Sequence, residues 1–389
     1  MFLSARVIIA PVDIRKEFRP LVLDDMGRAR VVLELTDIKG NTFYGEALPR
    51  WWAGERALDV AGYLSSVLGV LTHCAMPSVS NLRTMLHVLE QELLKITPRP
   101  EPALAALSTA LITCLAHEKS QSVAALFSPL ETQKIKYCAS IPLNGRAMAL
   151  TALSTLTQRG FSQFKTRLSE HREKSLHILE NIMATYGDSI HIAVDGNAGW
   201  SVSEADEIVD ALVQMGITLV EQPLPVSARN EMIDLMVRYE GRALFILDQS
   251  VECLNDFEWF AANAPPAIVN VKLMKNGGFF KALELYEEII RSSWHASLGS
   301  EVGATITSLS LSRVLAAKTG GFICHEGAMA PHYMNDFPMP EEEWTDRLGE
   351  GDVVSIMGSA GLGIALHGDE TSGEVYAFQT LSPRAEDPA

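Results

Sequence analysis

Five polar side chains stand at the ends of successive short apolar runs: Lys165, Asp195, Glu221, Asp248 and Lys272, spaced by 30, 26, 27 and 24 residues. Asp195, Glu221 and Asp248 are hard oxygen donors with no His or Cys among them, a set that favours Mg2+ (or Mn2+) over zinc. Three carboxylates gathered in one cavity repel one another, and a divalent cation relieves that repulsion. Beside such an ion, Lys165 can hold a substrate carboxylate and absorb the charge that develops when the adjacent C–H is deprotonated. Lys272, near the ion and out of bulk water, is expected to have a depressed pKa and to serve as general base or acid. Singly, each residue has a plainer reading: a strand-end Asp caps a helix, and Glu221-Gln222-Pro223 makes a turn. The argument rests on the five together.

The elements that must position them alternate. From Lys136 onward, strands are expected at Tyr137–Pro142, Gln163–Arg167, His191–Asp195, Thr218–Glu221, Leu244–Asp248, Ile268–Lys272, Trp294–Leu298 and Phe322–Cys324. Amphipathic helices lie between them. Ser201-Val202-Ser203-Glu204 is a capping box opening a helix over Ala205–Met215, and Asn230–Tyr239 forms another. Eight such steps fit a (β/α)8-type barrel, in which every strand's carboxyl end opens on one rim. A doubly wound sheet would show a glycine-rich turn after its first strand, and Ile141-Pro142-Leu143-Asn144-Gly145-Arg146 is not one. Before the barrel, the first ten residues read as a strand. Val31–Leu35 and Thr42–Glu46 form a hairpin around Lys39-Gly40-Asn41, and residues 55–71, 79–96 and 102–118 have helical spacing, together an α+β domain. Residues 331–351 read as a long loop. Val353–Ile364 and Val375–Thr380 then return to the first domain.

Composition narrows the partners. Of 389 residues, 47% are hydrophobic and 21% charged, as in an ordinary globular protein, and 32 Lys and Arg against 48 Asp and Glu leave a net charge of −16. Such a chain repels phosphate backbones and anionic membrane surfaces, and no apolar run approaches the ~20 residues of a bilayer span. The N-terminus has no basic start before its apolar stretch, so it reads as a strand rather than a signal peptide. Cys74, Cys114, Cys138, Cys253 and Cys324 are scattered without CxxC spacing, which argues for a reducing compartment. A cytoplasmic enzyme is expected, with a small carboxylate as substrate and a closed homo-oligomer as the default assembly. No phosphate loop, nucleophile elbow or HExxH pattern competes.

Phe164-Lys165-Thr166-Arg167, Val194-Asp195-Gly196-Asn197, Val220-Glu221-Gln222-Pro223, Leu247-Asp248-Gln249-Ser250 and Asn270-Val271-Lys272-Leu273-Met274-Lys275-Asn276-Gly277-Gly278 resemble the signature set of the enolase superfamily. The strand-six lysine makes the chain similar to its muconate-lactonising subgroup, within the mandelate racemase/muconate lactonizing enzyme family. Tyr44-Gly45-Glu46-Ala47 resembles the family's capping-domain hairpin, and Gly358–Gly363 its C-terminal return. The resemblance implies an α/β protein: a (β/α)7β modified TIM barrel with an N-terminal α+β capping domain completed by the C-terminal segment. The expected boundaries are 1–130 for the cap, 131–350 for the barrel and 351–389 for the return. It further implies one Mg2+ on Asp195, Glu221 and Asp248, and removal of a proton α to a carboxylate to give a metal-stabilised enediolate.

Three departures matter. Where the family's strand-two motif ends in a second lysine, this chain has Arg167. A guanidinium stays protonated, so Arg167 is expected to act as an electrostatic clamp and not as a base. Cys324-His325-Glu326-Gly327 stands where dipeptide epimerases carry Asp-x-Asp, and Leu298–Gly303 only approximates the strand-seven segment. Glu301 there is either a ligand-orienting group or a cap. Asn197 and Gln222 orient metal ligands or serve turns. Lys275 tunes Lys272 or is a solvated loop lysine. Trp51 and Trp52 line the cap–barrel cleft or pack within the cap. Arg19 and Arg50 grip a distal anionic group or are surface arginines, while Cys324, His325, Glu326 and His332 belong to the predicted mouth. The expected function is a Mg2+-dependent lyase or isomerase in which Lys272 moves the proton and Lys165 and Arg167 stabilise charge, ending in cycloisomerisation or β-elimination. The alternatives are a racemase or epimerase of an amino-acid derivative or dipeptide, and a catalytically reduced metal-binding barrel.

Overall fold

The computed structural model describes residues 2–15, 29–71, 76–131, 135–169, 171–327, 329–335 and 374–380. Phe2–Pro11 (β1), Ala29–Asp37 (β2) and Thr42–Ala47 (β3) pair antiparallel, with Leu33 opposite Gly45 and Val32 opposite Glu46. The hairpin turn is organised by Asp37, whose Oδ1 accepts the backbone N–H groups of Lys39 and Asn41, each at 2.8 Å. Helices Ala57–Leu71 (α1), Leu82–Leu94 (α2) and Glu101–Glu118 (α3) follow, then the short Val123–Leu126 (α4).

The alternation then begins: Cys138–Ser140 (β4), Arg146–Gln158 (α5), Gln163–Arg167 (β5), Arg172–Tyr186 (α6), His191–Asp195 (β6), Val202–Gln214 (α7) and Leu219–Glu221 (β7). It continues through Arg229–Arg238 (α8), Leu244–Leu247 (β8), Leu254–Asn263 (α9), Ile268–Val271 (β9), Phe279–Arg291 (α10), His295–Leu298 (β10), Ile306–Thr319 (α11) and Ala330–Tyr333 (α12). The seven strands β4 to β10 form one parallel sheet in sequence order. An eighth strand was expected at Phe322–Cys324. The structure has a single bridge residue instead, His325, which pairs with Leu298 on one side and Tyr137 on the other. The His325 N–H donates to Lys136 O, its carbonyl accepts from Cys138 N, and Glu326 N donates to Leu298 O, so the seam joins β10 to β4 and the barrel closes. Glu374–Thr380 (β11) returns to lie on the free side of β1, giving the order β11-β1-β2-β3.

Period-two alternation explains which side chains reach the mouth. Ala193, Ile246 and Ile268 cluster inside the barrel with Leu219 and Leu244. Asp195, Glu221, Asp248 and Asn270 each lie two residues beyond a member of that layer, and so point inward one level higher. Ser201 caps α7 through the expected box with Glu204. The reading of 331–351 as loop is corrected at its start, where α12 carries Pro331 in its first turn, the one place a helix tolerates proline. Arg19 and the segment 353–364, with Gly358–Gly363, lie outside the described residues. Among those described, no helix is long and apolar enough to cross a membrane.

Helix α3 is buried on all sides from Pro102 to Ala116, because it fills the space between β3 and the barrel helices α10 and α11. Its small residues let backbones approach. A Cβ on Gly45 would lie 1.9 Å from the Ala106 carbonyl oxygen. Gly45→Ala is therefore expected to destabilise by at least the ~1–3 kcal/mol typical of overpacking. Urea unfolding measures it, and an unchanged midpoint would contradict the contact.

Candidate active site

At the mouth the five signature residues meet. Lys165, carried to the rim by β5, donates from Nζ to Glu221 Oε1 at 2.6 Å and to Glu326 Oε1 at 3.0 Å, with Asp195 Oδ2 at 3.5 Å. Arg167, two residues on, places Nε 3.1 Å from Asp195 Oδ2. Lys272 Nζ donates to Asp248 Oδ2 at 2.7 Å, with Glu301 Oε2 at 3.8 Å. Asp195, Glu221 and Asp248 are all at most 2% exposed. Asp195 and Glu221 are direct partners in the β6–β7 register.

Supporting residues fix the frame. Gln222 accepts at Oε1 from the N–H groups of Asp248 (3.0 Å) and Ser250 (3.1 Å), so it holds the main chain of Asp248 and not its carboxylate. Asn197, in a left-handed conformation at φ 50°, donates its N–H to Asp195 Oδ1 at 2.8 Å and accepts from Gln249. Lys275 is fully buried and donates to Asp248 O, Asp248 Oδ1 and Asn270 O at 2.7, 3.0 and 2.7 Å. The solvated-loop reading of Lys275 is corrected: the turn after Lys272 folds back under β8. Asn270 was passed over in the sequence, although it is the polar residue two before Lys272 in an apolar strand. It donates to Glu221 Oε1 at 3.0 Å. Gly299 matters too, since a Cβ there would fall 2.3 Å from Asn270 Oδ1 and 2.8 Å from Lys272 Cε.

The electrostatics follow from burial and crowding. Burial pushes the Glu221 carboxyl up to about 8; Lys165 opposes the shift, and the charges of Asp195, Glu326 and Asp248 reinforce it. Burial alone would lower the Lys272 pKa, yet Asp248 and Glu301 raise it above its ordinary value, which corrects the expected depression. Lys165 is also raised well above its ordinary value, against burial, by Glu221, Glu326 and Asp195. As the side chains stand, no three His, Cys, Asp or Glu among the described residues are arranged to hold a metal ion; the lysine ammoniums lie against the carboxylates. The donors nonetheless fit a hard divalent cation by type, three buried carboxylates gathered on consecutive strand ends.

Other candidates fall elsewhere. Arg50 is spent on Glu55, Glu252 and the Arg99 carbonyl, so it is not free for a substrate anion. Cys324 is not among the residues lining the cavity; its side chain is hydrogen-bonded to Cys138, which is. Glu326 does face the cavity. His325 points away from it, because Cys324 and Glu326 take the inward parity. His325 is 1% exposed against the Tyr137 ring, and His332 sits on α12 beside Tyr333.

Burial, aided by Arg313, lowers the His325 pKa to about 3, so the fold holds the ring neutral. The unfolded chain binds that proton below about 6.5, so stability falls as pH drops from there toward 3, by about 1.4 kcal/mol per unit. Urea unfolding at pH 7 and pH 5 should show a wild-type loss roughly 2 kcal/mol larger than in His325→Phe. Equal losses would show that the ring is not held neutral.

A closed parallel barrel under an α+β cap, with carboxylates on three consecutive strand ends and lysines on either side, defines an enzyme of the enolase type. Residues 147–370 match the model described as enolase C-terminal domain-like, and the chain belongs to that family, within the enolase superfamily. Its curated relatives include an L-Ala-D/L-Glu epimerase of Francisella tularensis subsp. novicida, 23% identical over 73% of this chain and 78% of the relative. A hydrophobic dipeptide epimerase of Roseobacter litoralis is 28% identical over 47% of this chain and 53% of that one. In fold the chain is similar to muconate cycloisomerase from Pseudomonas fluorescens (TM-score 0.76, 17% identity, covering 94% of this chain and 96% of that one). It is equally similar to a dipeptide epimerase from Enterococcus faecalis (TM-score 0.75, 19% identity, 94% and 99%). The chain is thus an enzyme of the isomerase type, and the relatives' names span both cycloisomerisation and epimerisation.

Proposed function

We propose that the protein removes the proton α to the carboxylate of a small substrate in a Mg2+-dependent reaction, and completes a cycloisomerisation or β-elimination. The observation that carries this is the asymmetry of its two lysines. Lys165 is gripped by three carboxylates within 3.5 Å, whereas Lys272 has one at 2.7 Å and a second at 3.8 Å. Lys272 is therefore the amine that can give up and take back a proton, and Lys165 the fixed charge. Asp195, Glu221 and Asp248 would hold the Mg2+, which would supply positive charge beside the substrate carboxylate and compete with Lys272 for Asp248, the chief cause of its raised pKa. Arg167, permanently charged and fixed on Asp195, stabilises anionic character on its side of the cavity. Lys165 provides a second ammonium for the substrate carboxylate.

A second reading, epimerisation, is favoured by one feature: β5 and β9 lie four positions apart in a ring of eight, so Lys165 and Lys272 enter the pocket from opposite sides. Incubation in D2O with Mg2+ across dipeptides, N-acylamino acids, acid sugars and cyclic unsaturated acids, read by NMR, tests both. Exchange of the α-proton in one configuration is expected; deuterium in both configurations would favour epimerisation. Mg2+ binding without exchange on any of these acids would overturn the proposal in favour of a reduced metal-binding barrel.

A further inference from the structure

Both oxygens of Asp248 are taken by lysines: Lys275 donates to Oδ1 at 3.0 Å and Lys272 to Oδ2 at 2.7 Å. Lys275 is pinned by two further bonds, to the carbonyls of Asp248 and Asn270, so of the two ammoniums only that of Lys272 is free to leave. The Lys272 backbone stays fixed, since its N–H donates to Asn276 Oδ1 at 2.7 Å. Its stem lies against Gly299, where no side chain blocks a swing.

The next carboxylate is Glu301, whose Oε2 lies 3.8 Å from Lys272 Nζ. The Glu301 side chain is 10% exposed, and its Oε1 is buried with no hydrogen-bond partner among the described residues. Glu326, by contrast, has Lys165 on Oε1 and the Ser300 N–H on Oε2. Nor is Glu301 engaged at the start of α11: Thr305 caps that helix with its own hydroxyl, and the Thr305 N–H goes to Glu46. Glu301 and Lys272 line the main pocket together and share a smaller one beside it with Ser312, whose hydroxyl is likewise buried without a partner. A carboxylate so buried, with an idle oxygen, is costly where it stands unless a donor comes to it.

We propose that Glu301 is a second seat for the Lys272 ammonium. When Asp248 turns Oδ2 to a divalent cation, Lys272 Nζ passes to Glu301; a shift of about 1 Å brings the pair to hydrogen-bond length. The ammonium then stays paired and stays in the pocket, and Asp248 is released without leaving a buried charge uncompensated. This deepens the proposed function and rests on its metal ligands, Asp195, Glu221 and Asp248. Glu301 is a positioning residue that acts through Lys272.

Calorimetric titration of the EDTA-stripped protein with MgCl2, with no substrate present, reads this in a double-mutant cycle. Glu301→Gln keeps the shape and should weaken Mg2+ binding by about tenfold or more, the worth of a hydrogen bond to a charged group. In a Lys272→Met background no ammonium needs a seat, so Glu301→Gln should change the affinity by less than about twofold. Lys272→Met alone, with neither competitor nor displaced charge, should bind close to wild type. Equal weakening in both backgrounds would make Glu301 a plain negative charge near the ion and overturn the seat; so would no weakening in either. A crystal structure of the Mg2+-loaded wild type needs no variant: Lys272 Nζ on Glu301 supports the seat, and Nζ still on Asp248 Oδ2 overturns it. The two proposals fail separately. Mg2+ binding and α-proton exchange with no coupling in the cycle remove the seat and leave the reaction. Coupling with no exchange on any acid does the reverse.

Discussion

Lys272→Ala should abolish exchange of the substrate α-proton with solvent deuterium, lowering the exchange rate by at least the ~10^2–10^4-fold that a positioned acid–base group supplies. The loss is expected to be chemical and not structural. Asp248 keeps the Lys275 ammonium at 3.0 Å, so the substitution does not strand a bare carboxylate in the interior. Unfolding by urea and calorimetric Mg2+ binding should accordingly stay close to wild type. The vacated space lies against Gly299, which has no side chain to fill it. A small primary amine such as methylamine should therefore restore part of the activity, in proportion to its free-base concentration. Retained exchange in the variant would remove Lys272 from the proton's path. Lost exchange with no Mg2+ binding would show that Lys272 serves the fold of the site instead.

Lys275→Met should cost about 3–5 kcal/mol of stability, the range expected when one partner of a buried ion pair is deleted. Its ammonium is the shared donor to the main chains of β8 and β9, through Asp248 O and Asn270 O, and it also neutralises Asp248. Methionine fills the volume but leaves two carbonyls and part of a carboxylate without their donor. Lys281→Met provides the contrast. That lysine pairs with Glu90 at 2.9 Å, but its side chain is 43% exposed, and its removal should cost no more than about 1 kcal/mol. If the two variants unfold at the same urea concentration, the buried donor does not have the structural role described.

Much of this arrangement was legible in the residues. Alternation in Gln163–Arg167 and His191–Asp195 gave both strands their observed bounds, and the spacing of the strand-end groups placed them on one rim. What escaped had specific causes. The seam at His325 is one bridge long, too short to display an alternation, so nothing in the sequence said whether His325 or Glu326 faced inward. Arg50 looked available because its partner Glu252 is 202 residues away, and pair choice across a domain junction leaves no local pattern. Asn270 was different: a lone amide amid Ile268, Val269 and Val271 was a visible signal. Its parity with Lys272 already aimed it at the carboxylates.

The antiparallel ladder between β1 and β11 has a consequence for biosynthesis. Phe2–Pro11 leaves the ribosome before every other described strand, but Glu374–Thr380, which covers its far edge, follows all of them. The sheet therefore spends the synthesis of the entire barrel with one backbone edge open to any passing strand. The parallel barrel, whose strands and seam all lie between Lys136 and Glu326, can assemble during that interval. Nascent copies on neighbouring ribosomes are then the competitors that this late strand must outpace.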